Sequence, residues 1–174
     1  MTRYVALLRG VNVGGTTVKS AALADMARRI GLADVRTVLA SGNLLFSAAD
    51  DERPAALESR VEDALRETFG YDAWIVLTTV DHLRAVIDGF PFHERDDRQP
   101  YVVLGSDPAV LDEIARAAGE LEADDERIER GDGVVYWDCP KGRTLDTPFA
   151  KLIAKARYKA TTTNRNLRTL RKLA

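Results

Sequence analysis

Residues 35–47 read VRTVLASGNLLFS. Val35–Ala40 and Leu44–Ser47 are short apolar runs, and Ser41-Gly42-Asn43 between them is turn chemistry, so the stretch predicts a β-hairpin. A helix pattern flanks it on each side. Upstream, Ser20 suits an N-cap, Leu23, Met26, Ala27 and Ile30 recur at i, i+3, i+4, i+7, and Gly31 closes the pattern. Before that helix, Tyr4–Leu8 reads as a strand. Downstream, Pro54 suits the first turn of a helix whose Leu57, Val61, Leu65 and Phe69 face inward, with Gly70 just past its end. Trp74–Leu77 then reads as a fourth strand, and Thr79 caps a short helix carrying Leu83, Val86 and Ile87.

The segment GFPFHERDDRQP, residues 89–100, carries two prolines and several charges and reads as a linker. Beyond it the order recurs. Tyr101–Gly105 is strand-like. Asp107-Pro108 opens a helix with Leu111, Ile114, Ala115 and Ala118 inward. Arg127–Arg130 and Val134–Cys139 form a second hairpin about Gly131-Asp132-Gly133. Thr147-Pro148 opens a helix with Phe149, Leu152, Ile153 and Ala156 inward. Ala160–Thr163 can add a short strand, and a last helix places Leu167, Leu170 and Leu173 on one side. A hairpin set between two helices is the split βαβ plan. The predicted fold is therefore α+β: two ferredoxin-like (βαββα-type) units plus a C-terminal helix, divided as 1–90 and 91–174. The rival arrangement is one continuous mixed sheet built from all the strands.

Length and composition set the class. The 174 residues are 45% hydrophobic and 30% charged, which fits a globular chain able to bury a core. No apolar run is long enough to cross a membrane, and with Arg9 closing the brief apolar run of the first strand no signal peptide is expected. With Cys139 as the single cysteine, no intramolecular disulfide can form, and the expected compartment is the cytoplasm. The net charge of −2 argues against wholesale nucleic-acid binding. Its distribution is uneven, because residues 147–174 hold 8 basic side chains and no acidic one. That tail either neutralises the acidic stretch 91–146 or presents an anion-binding surface.

Three polar segments are candidates for chemistry. RGVNVGGTTVKS, residues 9–20, joins a strand to a helix; its glycines let backbone N–H groups approach a ligand, a helix N-terminus favours an anion, and Arg9 and Lys19 add charge. It matches neither a dinucleotide fingerprint nor a P-loop, and a tight turn also explains it. Ser41-Gly42-Asn43 is the second, and a turn alone accounts for it too. Thr161-Thr162-Thr163-Asn164-Arg165-Asn166 is the third, read as the opening of the last helix. Arg165, Arg168 and Lys172, and likewise Lys151, Lys155 and Lys159, share helical stripes, which solvent exposure also explains. His82 and His93 lack metal-ligand spacing, so no metal or cofactor is expected. No catalytic residue stands out. Cys139 alternates with Val135 and Trp137 and reads as a core residue. Asp50-Asp51-Glu52 and Asp124-Asp125-Glu126 read as solvated turn charges.

YVALLRGVNVGG and VRTVLASGNLLF, with FPF at residues 90–92 and TNRNLRTLRKL near the end, closely resemble the bacterial family of domain of unknown function 1697. The resemblance implies an α/β fold of ferredoxin-like character and no known activity. It selects Arg9, Gly10, Asn12, Gly14, Gly15, Ser41, Gly42, Asn43, Arg165, Asn166 and Thr169. Leu167 and Arg168 stand where that family usually has tryptophan and asparagine. The leading expectation is a site for a small anionic or nucleotide-like ligand, formed by Arg9, Asn12, Gly14, Gly15, Ser41, Asn43, Arg165 and Asn166. One rival is a nucleic-acid or protein interaction module using the basic C-terminal helices. Another is an enzyme of unstated reaction. Convergence of the three motifs supports a ligand site; a flat lysine surface supports the module.

Overall fold

The structure, a computed structural model, describes residues 1–11, 15, 17–40 and 42–174. It divides into two compact units, Met1–Leu83 with Lys172–Ala174, and Arg84–Arg171. Among the described residues, eight strands make two separate four-stranded antiparallel sheets, so the single continuous sheet does not form. No helix among these residues is long and apolar enough to cross a membrane.

The first unit runs β1 (Thr2–Arg9), α1 (Ser20–Arg29), β2 (Ala33–Thr37), β3 (Asn43–Ala48), α2 (Pro54–Phe69) and β4 (Trp74–Thr79). Its sheet order is β2-β3-β1-β4. Tyr4, Ala6 and Leu8 of β1, Leu44 and Phe46 of β3, and Ile75 of β4 pack with Leu23 and Met26 of α1 and Leu57, Val61 and Leu65 of α2. The alternate residues Val5, Leu7, Leu45 and Val76 are buried as well. Burial on both faces explains why the central strands read as continuous apolar runs rather than alternating ones. Each fully buried aliphatic side chain contributes roughly 1.5–3 kcal/mol of transfer free energy. Ser20 is the first helical residue rather than the cap: Lys19 occupies the cap position and supplies no side-chain hydrogen bond. β2 begins at Ala33, before its apolar run, with a register shift between Ala33 and Arg36 where Asp34 adopts φ 47°, and it stops at Thr37 rather than Ala40 because the chain turns at Leu39, φ 61°. Thr79 does cap α3 (Val80–Asp88), its hydroxyl accepting from the His82 N–H at 3.1 Å.

The second unit repeats the order with β5 (Arg98–Gly105), α4 (Pro108–Ala118), β6 (Arg127–Gly131), β7 (Val134–Pro140), α5 (Pro148–Ile153), a 3-10 turn (Ala156–Tyr158), β8 (Thr162–Asn166) and α6 (Leu167–Arg171). Its sheet order is β6-β7-β5-β8, the same permutation. Val103, Leu111, Ile114, Trp137, Cys139, Phe149 and Tyr158 form its core. Asp107 caps α4 by accepting from the Ala109 N–H at 2.9 Å.

Two readings of the C-terminal third are corrected. Residues 162–166 do not open a helix. They pair antiparallel with β5, from Asn166 opposite Tyr101 to Thr162 opposite Gly105. The free edge of β5 needs N–H and C=O partners, and β-branched threonine tolerates the extended backbone. The lysine stripe is also lost. α5 ends at Ile153, Lys155 is extended at the start of the 3-10 turn, and Lys159 follows that turn. Arg165 lies on β8, apart from Arg168 on α6.

Candidate functional site

The C-terminal end of β1 gathers two of the three polar motifs. Since Tyr4, Ala6 and Leu8 face the helices, Val5, Leu7 and Arg9 face the opposite side of the sheet. Asn43 stands opposite Leu7 on β3, and Trp74 stands opposite Arg9 on β4. Arg9, Asn43 and Trp74 therefore share one face at one end of the sheet. The Leu8 N–H donates to the Gly42 carbonyl at 2.8 Å, extending the β1–β3 ladder into the hairpin tip. Gly42 has φ +74°, and a Cβ there would lie 2.5 Å from Val11 Cγ2 and 2.9 Å from Leu8 Cβ. Only glycine fits both the backbone angle and the space. The tip of the β2–β3 hairpin thus rests directly on the start of the glycine loop.

Each group in this corner has a definite environment. Arg9 is half-buried, and that burial lowers its pKa, although a guanidinium stays charged at any physiological pH. Asn43 is fully buried; its Nδ2 donates to the Val38 carbonyl at 2.9 Å, while the Val38 N–H donates to the Asn43 carbonyl at 3.1 Å. Its amide group thereby closes the hairpin loop. Leu39, in the same loop, adopts φ 61° and is 46% exposed. Gly10 and Gly15 both have positive φ. Lys19 is exposed at the start of α1. Asn12, Gly14 and Ser41 lie outside the described residues.

Arg165 and Asn166 belong to the second unit, where each has local work. Arg165 Nη1 donates to Thr163 Oγ1 at 2.6 Å and to the Asn164 carbonyl at 3.0 Å. Asn166 Oδ1 accepts from the Arg168 N–H at 2.9 Å and so caps α6. Leu167 is completely buried, so a packing residue stands at that position. The basic tail also meets acidic partners within its own unit: Arg171 pairs with Glu94 at 2.5 Å and Arg157 with Glu113 at 3.0 Å.

The polar centre of the second unit was not legible in the sequence. Asp138, 1% exposed, accepts through Oδ2 from Arg98 Nε at 2.5 Å and from Arg127 Nη2 at 2.6 Å. Arg98 Nη2 reaches on to the Asp125 carbonyl at 2.7 Å, and Arg127 Nη2 to the His93 carbonyl at 3.1 Å. Arg127 also sits over the Phe92 ring at 5.0 Å; Phe92 meets Phe90 edge-on, and Phe90 meets Tyr136 in the same way. The FPF stretch thereby packs on the face of this sheet that carries Tyr136 and Asp138, opposite the α4 and α5 side. Glu126 is not a solvated turn charge. It is buried, with Oε2 accepting from Trp137 Nε1 at 2.6 Å and Oε1 from the Phe149 N–H at 3.0 Å. The available signal was a single carboxylate inside the apolar run VVYWDC, with arginines on both neighbouring strands. Cys139 is fully buried, and burial pushes its thiol up to about 11, aided by the Glu126 and Asp138 carboxylates. It is a protonated core thiol at neutral pH. Among the described residues, no group of three or more His, Cys, Asp or Glu side chains could hold a metal ion.

Comparison with known proteins agrees with this architecture. A family model described as a protein of unknown function, DUF1697, matches residues 1–136. The structure of the conserved bacterial protein SP0830 from Streptococcus pneumoniae is similar, with TM-score 0.83 and 26% identity over 99% of this chain and 96% of that one. An unknown protein from Galdieria sulphuraria, 10% identical over 95% of this chain and 96% of that one, has a TM-score of 0.28, too low to carry an argument. No curated protein matches the sequence.

Proposed function

The chain belongs to the DUF1697 family of proteins of unknown function, and from that premise we propose that the C-terminal end of β1 binds a small anionic or nucleotide-like ligand. The observation that carries this reading is the seating of Gly42 on Leu8 and Val11, which puts the hairpin tip and the glycine loop in one corner beside Arg9. Positive φ at Gly10 and Leu39 bends the backbone at this corner out of the strand conformation, a geometry from which peptide N–H groups can meet an anion. Leu39 is the informative case. A non-glycine residue at positive φ costs about 1 kcal/mol or more, and strain of this kind collects at ligand sites. Arg9 supplies full charge and a planar fork for phosphate or carboxylate. The rival interaction module has less support, because its lysines do not share a helix and two arginines of the tail are paired with glutamates.

A thermal-shift screen of phosphates, nucleotides and carboxylates tests the proposal on wild type, Arg9→Ala and Arg165→Ala. A charge-assisted hydrogen bond contributes roughly 1.5–3 kcal/mol, so Arg9→Ala should weaken a true ligand by about 10- to 100-fold. Arg165→Ala asks whether the third motif takes part. A ligand that binds Arg9→Ala as tightly as wild type would sink the site.

A further inference from the structure

Two of the large hydrophobic side chains exposed in this protein, Leu39 and Trp74, stand at the same end of the first sheet. Leu39 belongs to the β2–β3 hairpin, whose tip bonds to Leu8, and Trp74 begins β4 directly opposite Arg9. β3 and β4 flank β1, so the hairpin tip and Trp74 are about 10 Å apart across the sheet, two strand spacings. Directly opposed residues on an antiparallel pair bring their Cβ atoms to about 5 Å, so Trp74 and Arg9 leave the sheet side by side on one face. Trp74 is 36% exposed, whereas Trp137 has no exposure. A partly exposed tryptophan beside a half-buried arginine matches a molecule that carries a flat ring close to an anionic group.

Resting on the ligand site proposed above, we infer that its ligand is a mononucleotide or a close chemical equivalent, with the base stacked on Trp74 and the phosphate held by Arg9. A ring and a phosphate separated only by a ribose fit neighbouring residues on one sheet face. Base–aromatic stacking tolerates any base and is worth roughly 5- to 150-fold in affinity. Trp74 therefore sets the ligand class rather than the identity of the base.

The experiment compares a mononucleotide panel (AMP, GMP, CMP, UMP) with ribose 5-phosphate, which keeps the sugar and phosphate and lacks the ring. Calorimetric titration is run on wild type, Trp74→Ala and Trp74→Phe, with tryptophan fluorescence alongside. The expected result is that at least one nucleotide binds wild type about ten-fold or more tightly than ribose 5-phosphate. Trp74→Ala should abolish that difference, and Trp74→Phe should keep most of it. Nucleotide binding should quench wild-type fluorescence and leave the Trp74→Phe signal, which comes from buried Trp137, unchanged. Equal affinity for ribose 5-phosphate and every nucleotide, lost in Arg9→Ala, would overturn this inference and leave the anion site standing. Binding of neither class would overturn both. A Trp74→Ala variant that loses ribose 5-phosphate and nucleotide in equal proportion would also overturn it, since that assigns Trp74 a folding role.

Discussion

At the residue scale, two kinds of position differ in what a substitution should do. Gly42 is locked by both its φ and its contact with Val11 and Leu8, whereas a Cβ on Gly10 would meet nothing within 4 Å. Gly10→Ala should cost about 1 kcal/mol from backbone strain alone, while Gly42→Ala should cost about 2–4 kcal/mol, because overpacking adds to it. Urea denaturation of the two variants measures the contrast. Asp138 is the second kind. Its carboxylate neutralises two arginines from neighbouring strands, so Asp138→Ala should lower stability by about 3–5 kcal/mol, the usual cost of breaking a buried pair. Cys139 adds a pH dependence. Its thiol titrates near 11 in the folded chain and in the ordinary range, about 8.5, once unfolded. The folded state therefore binds more protons between those values. Stability is complete below that window and falls as pH rises through it, by up to about 1.4 kcal/mol per pH unit. Cys139→Ala should remove this slope, so the stability difference between wild type and variant should shrink as pH rises from 8 to 11. A constant difference would contradict the assignment.

At the element scale, local signals decided where helices begin and the sheets decided where strands lie. α4 starts at Pro108, behind Asp107, whose side chain caps it; α1 starts at Ser20, behind Lys19, which supplies no cap and puts a cation at the positive end of the helix. Asp107→Ala should destabilise by about 1 kcal/mol, and Lys19→Asp should stabilise by about 0.5–1 kcal/mol. Thermal melts followed by circular dichroism read both. The hairpin 35–47 was recognisable because turn residues separate two apolar runs of strand length. The strand 162–166 was legible only at its start, where Ala160–Thr163 reads as a short strand; its run to Asn166 was not, because TTNRN has no apolar alternation and Asn166 caps a helix, α6, that begins at the next residue. What makes it a strand is the unpaired edge of β5, some 60 residues earlier in the chain.

At the scale of the whole molecule, charge is the property that its total conceals. The basic tail is not a free cationic surface throughout, since Arg171 and Arg157 are spent on Glu94 and Glu113. Filter binding to single- and double-stranded RNA and DNA at low salt should accordingly detect no tight complex, and Lys151→Ala with Lys155→Ala and Lys159→Ala should change little. Binding that falls steeply with salt and is lost in that variant would restore the interaction module. The order strand, helix, hairpin, helix and the core faces of α1, α2 and α4 were set by residues close together in the chain, because apolar periodicity and turn chemistry are local properties; that the strands form two separate sheets was decided by tertiary pairing. Family membership was legible for the same reason, since its motifs are contiguous. The tertiary structure alone decided that Gly42 rests on Val11, that Trp74 faces Arg9, and that Asp138 and Glu126 are buried among distant partners. A strand's cross-sheet neighbour depends on register, and a carboxylate's burial depends on whether remote donors reach it; neither is encoded within one segment of the chain.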